Sequence, residues 1–527
     1  MNTTDNLIPR PSHVALLGGP AFTLEATARI TASDAAAPVA EQLASLLRRG
    51  TSLELPMVQD SSPGDIVLEL EETLDGGQEA YTLNVTDTGI RLTASTPSGL
   101  FNGIQTLRQL FPAAVEGTDS SEQTWVIPAV DIVDAPRFAY RGLMLDVARS
   151  FFTVEEVKEQ IDVMTQFKLN ALHLHLTDDQ AWRIEIHEPA NNPSGLPYAN
   201  LTAIGGQGAV EVPTAMPARG REGFYTQQDF LDIQAYAASK NVLVIPEIDL
   251  PGHVNAALAA IPQLNPDGQA KPMSTTAEVG WSTLTAGLPA TYEFAREVLG
   301  QIAAITVGPY LHIGGDEAKV TEHDHYVAMV RQFVQIGAET GKAVVGWNEF
   351  AAAELPGGAV IQYWHGDFGP VMRQAENNAA MVLMSPANKT YLDQKYGSDS
   401  PIGLEWVEGG PFDWADYYNW DPAQGGLKDH QILGVEGALW SETVRDNQQA
   451  QWLLYPRAVS LAEVAWSGQE VRNAGDFRRR LGALGERLAR QGVTFQEAPD
   501  VEWSASSIWP FPDAAPSSPP KYGTIEA

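Results

Sequence analysis

From residue 140 to residue 436 the chain alternates short apolar runs with stretches of helical periodicity. Apolar runs that end in polar residues are typical of buried parallel strands, and the stretches between them indicate crossover helices. Eight βα units over roughly 330 residues favour an α/β fold, a (β/α)8 TIM barrel, over an open sheet. The predicted strands are Gly142–Asp146, Ala171–Leu176, Val242–Glu247, Tyr310–Ile313, Ala343–Trp347, Val360–Trp364, Met381–Met384 and Ile432–Glu436.

The residues before and after this region have other patterns. Residues 1–136 carry β-like runs at 65–70 and 81–85 and two helical patterns, which predict a smaller α/β accessory domain, a sheet with two helices. The second helix is expected from Ser98 through Leu110. The catalytic barrel is then predicted over residues 137–496, closed by a helix from Phe477 to Gln491, and residues 497–527 are expected to form an irregular C-terminal tail.

Composition limits the class of protein. A chain of 527 residues exceeds one ordinary core, and the absence of cysteine excludes disulfides, thiolate metal sites and a cysteine nucleophile. No apolar run is long enough for a membrane span, and the first ten residues lack the pattern of a secretory signal, so a soluble cytoplasmic protein is expected. The net charge of −33 argues against nucleic acid or anionic membrane partners.

The candidate chemistry lies where the fourth predicted strand ends. The run from His312 continues into two glycines and the adjacent carboxylates Asp316 and Glu317. Glycine lets the backbone turn without a Cβ, and barrel strands present functional groups at their carboxyl ends. Two carboxylates with different environments are typical of sugar hydrolysis, although an Asp-Glu pair can also simply begin a helix.

Five motifs stand at strand ends, in this order along the chain: Arg141-Gly-Leu-Met-Leu-Asp146, His175-Leu-Thr-Asp-Asp-Gln180, Glu247-Ile-Asp-Leu-Pro-Gly-His253, His312-Ile-Gly-Gly-Asp316-Glu317 and Val435-Glu-Gly-Ala-Leu-Trp440-Ser-Glu442. With these motifs the chain resembles the family 20 glycoside hydrolases, the β-N-acetylhexosaminidases, from about residue 10 to about residue 495. One departure follows the first strand, where the family usually has Arg-His-Phe and this chain has Arg149-Ser150-Phe151.

The resemblance implies an exo-acting, retaining and substrate-assisted hydrolase of terminal N-acetylhexosaminides. Glu317 would be the general acid and base, Asp316 would stabilise the acetamido N–H, and Tyr391 would bind the acetamido oxygen. A carboxyl beside another anion in a partly dry pocket loses its proton less readily, so the pKa of Glu317 is expected to be raised. No cofactor and no metal are expected.

The resemblance also implies a set of sugar-binding residues. Indoles at strand ends would surround the acetamido methyl and stack on the sugar, and charged groups would hold the hydroxyls of the terminal residue. Asp179 and His253 would form a pair that relays toward the acid, or a plain buried contact. The remaining expected substrate contacts are Arg141, Trp347, Trp364, Asp393, Trp406, Trp440 and Glu442.

Two other functions remain open from the sequence. His173 and His175 on one strand, with His253 and His312, could bind a metal, as in a metal-dependent amidohydrolase. The same aromatic pocket could instead belong to a non-catalytic sugar-binding protein, which has no need of two adjacent carboxylates. The choice of gluco or galacto sugar, the linkage and the oligomeric state are not determined by the sequence.

Overall fold

The computed structural model describes residues 3–118, 124–423 and 425–511. Within these described residues, the accessory domain contains nine strands and the barrel eight. The strands are β1 (His13–Leu16), β2 (Phe22–Thr23), β3 (Ile30–Ala32), β4 (Met57–Val58), β5 (Ile66–Leu70), β6 (Tyr81–Thr86), β7 (Gly89–Ala94), β8 (Val126–Ile127), β9 (Val130–Asp134), β10 (Tyr140–Asp146), β11 (Ala171–His175), β12 (Leu243–Glu247), β13 (Tyr310–His312), β14 (Ala343–Trp347), β15 (Val360–Tyr363), β16 (Met381–Met384) and β17 (Ile432–Leu439).

Two of the α-helices belong to the accessory domain and the rest surround the barrel. They are α1 (Ala37–Thr51), α2 (Pro97–Leu110), α3 (Val154–Met164), α4 (Asn200–Gly205), α5 (Gln227–Ser239), α6 (Asn255–Ala260), α7 (Pro289–Ile305), α8 (His323–Glu339), α9 (Gly369–Asn377), α10 (Ala387–Thr390), α11 (Trp414–Tyr418), α12 (Asn447–Leu454), α13 (Arg457–Trp466) and α14 (Ala474–Arg490). None of these helices is long and apolar enough to cross a membrane.

The accessory domain is a mixed sheet covered by two helices. Its seven strands lie in the order β1-β9-β6-β7-β5-β3-β4, and a separate β2–β8 ladder lies beside them. Helix α2 begins one residue before the predicted start, because Pro97 occupies its first position and the side chain of Thr96 accepts a hydrogen bond from the Gly99 N–H. Apolar residues of α1, α2 and the sheet form one buried cluster.

Strands β10 to β17 close a barrel in sequence order, and every neighbouring pair is parallel. The predicted α/β fold, a TIM barrel preceded by an accessory domain, is therefore confirmed. Consecutive parallel strands with crossover helices bring all eight carboxyl ends to one face. Residues far apart in the chain thus meet on that face.

Buried charges join the two domains at the opposite, amino-terminal end of the barrel. Lys168 Nζ lies 2.8 Å from Asp134 Oδ2, and the Tyr81 hydroxyl and the Trp466 indole N–H also donate to Asp134. Arg141 pairs with Glu79 of the accessory domain, with Nη2 2.6 Å from Oε1. After α14 the chain has no further helix or strand up to residue 511, and the rest of the predicted tail lies outside the described residues.

Candidate active site

Two glycines aim the adjacent carboxylates across the carboxyl-terminal face. Gly314 has φ +68°, and a Cβ there would lie 1.8 Å from Asp249 Oδ1, so only glycine fits the turn after β13. Asp249 Oδ1 in turn accepts a hydrogen bond from the Gly315 N–H. Asp316 is 7% exposed and its Oδ1 has no hydrogen-bond partner among the described residues. Glu317 follows with φ +46° and faces the cleft.

The protonation of this pair differs from the prediction. Burial raises the pKa of the Asp316 carboxyl to about 7, with the nearby negative charges of Glu349, Glu247 and Glu317 acting in the same direction. Burial also raises the pKa of Glu317, but contacts with His253 and Lys319 outweigh it and lower that pKa to about 2. The expectation of a raised pKa for Glu317 is therefore wrong, because His253 and Lys319, two positively charged groups, contact its carboxylate.

His253 connects the pair to a buried aspartate. Its Nε2 lies 3.5 Å from Asp316 Oδ2 and 3.6 Å from Glu317 Oε2. Its Nδ1 lies 3.2 Å from Asp178 Oδ1 but 4.0 Å from Asp179 Oδ2. The predicted partner Asp179 is thus replaced by Asp178, since Asp179 Oδ1 instead accepts from the Ser282 hydroxyl and the Asn255 N–H.

Four aromatic side chains form the floor of the site. Trp347 ends β14, Trp364 follows β15, Trp440 follows β17, and Tyr391 follows α10. The ring of Tyr391 stacks on Trp364 at 6.1 Å, and Trp440 lies 6.0 Å from Tyr391 and 5.9 Å from Trp347. The Trp347 N–H donates to Glu247 Oε1 at 2.8 Å, which fixes that indole. Trp406, half exposed, meets Tyr391 edge-on at the rim.

Two carboxylates beside this floor have unused hydrogen-bonding capacity. Asp393 Oδ1 and Glu442 Oε2 have no partner within the part of the chain that the structure describes, although both residues are buried. Burial and the charge of Glu442 raise the pKa of Asp393 to about 8. Buried polar atoms in native proteins almost always have a partner, so these two oxygens indicate a polar ligand.

The structure places Arg149, and not Arg141, at this face. Arg149 Nη2 lies 2.8 Å from Asp178 Oδ2, and its guanidinium lies over the Trp440 ring at 5.0 Å. Arg141 lies at the amino end of β10, fully buried against Glu79 and Trp466. The prediction for Arg141 is therefore wrong. Arg141 lies at the amino end of β10, whereas Arg149 follows the carboxyl end of that strand, where barrel sites form. The rule that barrel sites form at carboxyl ends could have identified Arg149 from the sequence.

An open cleft of ≈1180 Å³ lies beside the candidate acid Glu317 and the aromatic floor and opens to the surface. Glu317, Trp364 and Trp406 line it, together with several charged residues that the sequence analysis did not single out, among them Lys319 and Glu349. Glu349 Oε2 accepts a hydrogen bond from the indole N–H of Trp364 at 3.0 Å, and Lys319 Nζ lies 2.7 Å from Glu317 Oε1. Neither residue belongs to a recognisable motif, so only the folded chain reveals them.

The sequence matches the glycosyl hydrolase family 20 catalytic domain over residues 138–335 and 321–469, and domain 2 of the same family over residues 4–135. A β-N-acetylhexosaminidase of Cellulomonas fimi is 37% identical over 97% of this chain and 99% of its own length. The chain belongs to glycosyl hydrolase family 20. This membership decides against the amidohydrolase alternative.

Solved structures of the family have the same overall fold. The β-N-acetylhexosaminidase of Streptomyces coelicolor A3(2) is 39% identical with a TM-score of 0.88, over 95% of this chain and 99% of that one. The Streptomyces plicatus N-acetyl-β-hexosaminidase in complex with Thio-NAglucal is 40% identical with a TM-score of 0.88, over 95% and 98% of the two chains. The chain places Asp316 and Glu317 beside an open cleft and a cluster of aromatic side chains, and two carboxylates in different environments are typical of sugar hydrolysis.

Proposed function

We propose that this enzyme is an exo-acting β-N-acetylhexosaminidase that releases terminal N-acetylglucosamine or N-acetylgalactosamine from β-linked glycosides. The observation that carries the proposal is the position of Asp316 and Glu317 between an open cleft and a closed aromatic floor. The floor suits the acetamido methyl and one pyranose ring, and the cleft suits the leaving group. The unpartnered oxygens of Asp393 and Glu442 would accept hydrogen bonds from the hydroxyls of that ring.

The proposed reaction uses the substrate's own acetamido oxygen as the nucleophile, so that no nucleophile from the enzyme is required. That oxygen attacks the anomeric carbon while the glycosidic bond breaks, and Glu317 gives its proton to the leaving oxygen. Asp316, as an anion, accepts the acetamido N–H while positive charge develops there, and Tyr391 donates to the acetamido oxygen. Glu317 then takes a proton from water, which opens the cyclic intermediate with net retention.

The proton must sit on Glu317 when the reaction begins, whereas the free enzyme favours it on Asp316. The negative charge of Glu317 is one of the charges that raise the pKa of Asp316, so the titrations of the two carboxyls are linked and a single proton can be held by either. His253 Nε2 lies within 3.6 Å of both carboxylates and is placed to transfer the proton between them. The ligand's N–H favours ionised Asp316, which drives the proton to Glu317.

Hydrolysis of aryl N-acetylglucosaminides and N-acetylgalactosaminides tests the activity and compares the two sugars. Saturable binding of these glycosides without turnover would favour the sugar-binding protein instead. Early release of internal fragments from a long oligosaccharide would contradict exo action.

A series of substrates with fluorinated acetamido methyls tests the mechanism. Each fluorine weakens the acetamido oxygen as a nucleophile, so the rate should fall steeply along the series. A cyclic thiazoline that mimics the intermediate should inhibit strongly. Rates indifferent to fluorination, or an inverted first product by NMR, would eliminate the substrate-assisted mechanism even if the enzyme hydrolyses these glycosides.

A further inference from the structure

Lys319 is the one lysine that lines the catalytic cleft within the described residues. It lies two residues after Glu317 on the loop that follows β13, and its ammonium reaches back to the carboxylate, with Nζ 2.7 Å from Oε1. The Lys319 side chain is 60% exposed, and the Glu317 side chain 17%. An exposed lysine is free to extend into solvent. The contact between Lys319 and the half-enclosed Glu317 carboxylate therefore requires a neighbouring group that directs the lysine side chain toward it.

Gly280 helps to direct the Lys319 side chain toward Glu317. This residue lies on the long loop between α6 and α7, with φ +81°. A Cβ at Gly280 would lie 2.5 Å from Lys319 Cδ and 3.2 Å from the Glu317 backbone oxygen. The bare glycine backbone therefore forms a wall against which the aliphatic part of Lys319 packs, and this wall directs the ammonium toward Glu317 and the cleft.

The other charged groups around Glu317 are already engaged. The Nδ1 atom of His253, from the loop after β12, lies 3.2 Å from Asp178 Oδ1, and its Nε2 lies 3.5 Å from Asp316 Oδ2 and 3.6 Å from Glu317 Oε2. Glu349 lines the cleft with Glu317, Asp316 precedes Glu317 in the chain, and negative charge on either acidic group favours a protonated Glu317. Lys319 is thus the cation that faces the oxygen Oε1 from the leaving-group side.

We propose that Lys319 is a positioning residue for the general acid, holding the Glu317 carboxylate in the free enzyme and competing there with the glycosidic oxygen for Oε1. The inference rests on the proposed function, in which Glu317 must carry a proton toward the leaving group. An ammonium on that oxygen favours the ionised acid. Substrates whose leaving groups need a proton therefore react more slowly than they would if no ammonium contacted Glu317.

Replacement of Lys319 by methionine, which keeps the length of the stem, tests the proposal. The ammonium of the pair is exposed to solvent, which screens its charge, so the pKa of Glu317 should rise by about 0.5–1 unit and kcat/KM for a chitin disaccharide should rise about 3–10-fold. An aryl glycoside with a strongly acidic phenol needs no proton and should change by less than about 2-fold. Lys319→Glu should enlarge the difference between the two substrates.

Ionic strength gives a second measurement that a merely structural role would not affect. Salt screens an exposed ion pair, so added salt should raise the disaccharide rate of the wild-type enzyme and leave that of Lys319→Met unchanged. Lys319→Arg, which keeps the charge, should retain the salt dependence. Lys271→Met is the matched control, because Lys271 is also an exposed lysine in an ion pair, 3.4 Å from Asp267, on a surface loop.

The outcomes separate this inference from the proposed function. Wild-type enzyme that hydrolyses neither substrate would refute the proposed function. Active wild-type enzyme whose Lys319→Met variant shows equal changes on both substrates, or no change on either, would refute the role of Lys319. A leaving-group-dependent gain that Lys271→Met does not share would support it.

Discussion

At the scale of single residues, the proposed mechanism depends most directly on Glu317 as the general acid. Glu317→Gln keeps the shape of the side chain but removes the transferable proton. Hydrolysis of substrates with poor leaving groups should fall by roughly 10²–10⁴, and that of activated aryl glycosides by less. Steady-state kinetics on a chitin disaccharide and on an activated glycoside measure both effects. An unchanged rate on the disaccharide would eliminate Glu317 as the acid.

Asp316 sets the pH dependence. Because burial and neighbouring anions raise its pKa to about 7, the Asp316–Glu317 pair holds one proton below that pH and loses it above. The proposed mechanism requires this proton, so kcat/KM should fall as the pH rises through about 7. Asp316→Asn removes one carboxyl of the pair. It should lower the rate and also shift the pH at which kcat/KM falls. A profile that stays flat well above neutral pH would contradict the assignment.

Arg149 and Arg141 provide a matched pair, since both are buried arginines near β10 but at opposite ends of the barrel. Arg149→Ala should lose on the order of 2–5 kcal/mol of transition-state binding, because Asp178 and Glu442 lose their cation. Arg141→Ala should instead lower the thermal stability and leave kcat/KM of the folded enzyme near that of the wild type, because Arg141 contacts Glu79 of the accessory domain. Equal kinetic effects would overturn this assignment.

The turn after β13 is the element on which the site depends. Gly314→Ala would place a Cβ 1.8 Å from Asp249 Oδ1, which must move and release the Gly315 N–H. We expect kcat/KM to fall by about 10²-fold or more, since misplacement of catalytic groups by about 1 Å has that effect. Gly341→Ala is the control, because Gly341 also has a positive φ, +82°, with open space around it.

Thermal unfolding of the two glycine variants separates the causes. Both substitutions strain a left-handed backbone, at a cost of roughly 1–3 kcal/mol each. Both should therefore lose stability, but Gly341→Ala should keep the kinetics of the wild type. Similar kinetic losses in both variants would show that the turn after β13 has no special requirement for glycine.

At the scale of the whole molecule, buried charges unite the accessory domain and the barrel. Asp134 of β9 is 1% exposed and accepts from Lys168, Tyr81 and Trp466. Asp134→Ala leaves the buried Lys168 ammonium with the Tyr81 hydroxyl but without its carboxylate, which should cost roughly 3–5 kcal/mol of the free energy of unfolding. Urea denaturation, monitored with one probe in the barrel and one in the accessory domain, measures this loss of free energy. A loss below about 1 kcal/mol would show that water or rearrangement replaces the pair.

The sequence by itself determined the barrel, its order of strands and the adjacent carboxylates. These features follow from local periodicity and from the rule that consecutive βα units close with all carboxyl ends on one face. Trp347, Trp364 and Trp440 were placed at that face because each stands at or just beyond a strand end. Strand limits differed from the predictions by a few residues, as for β17, which extends to Leu439.

The tertiary structure decided which charges meet. Arg141 and Arg149 lie only eight positions apart, yet the length of β10 places them at opposite ends of the barrel. Asp178 and Asp179 are neighbours, but the local backbone turns their side chains apart, and only Asp178 reaches His253 closely. The order of protonation of Asp316 and Glu317 depends on burial and on His253, Lys319 and Glu349, whose distances to the pair no sequence spacing contains. Electrostatics at the site is a property of the fold, since it sums over groups that only the closed barrel brings together.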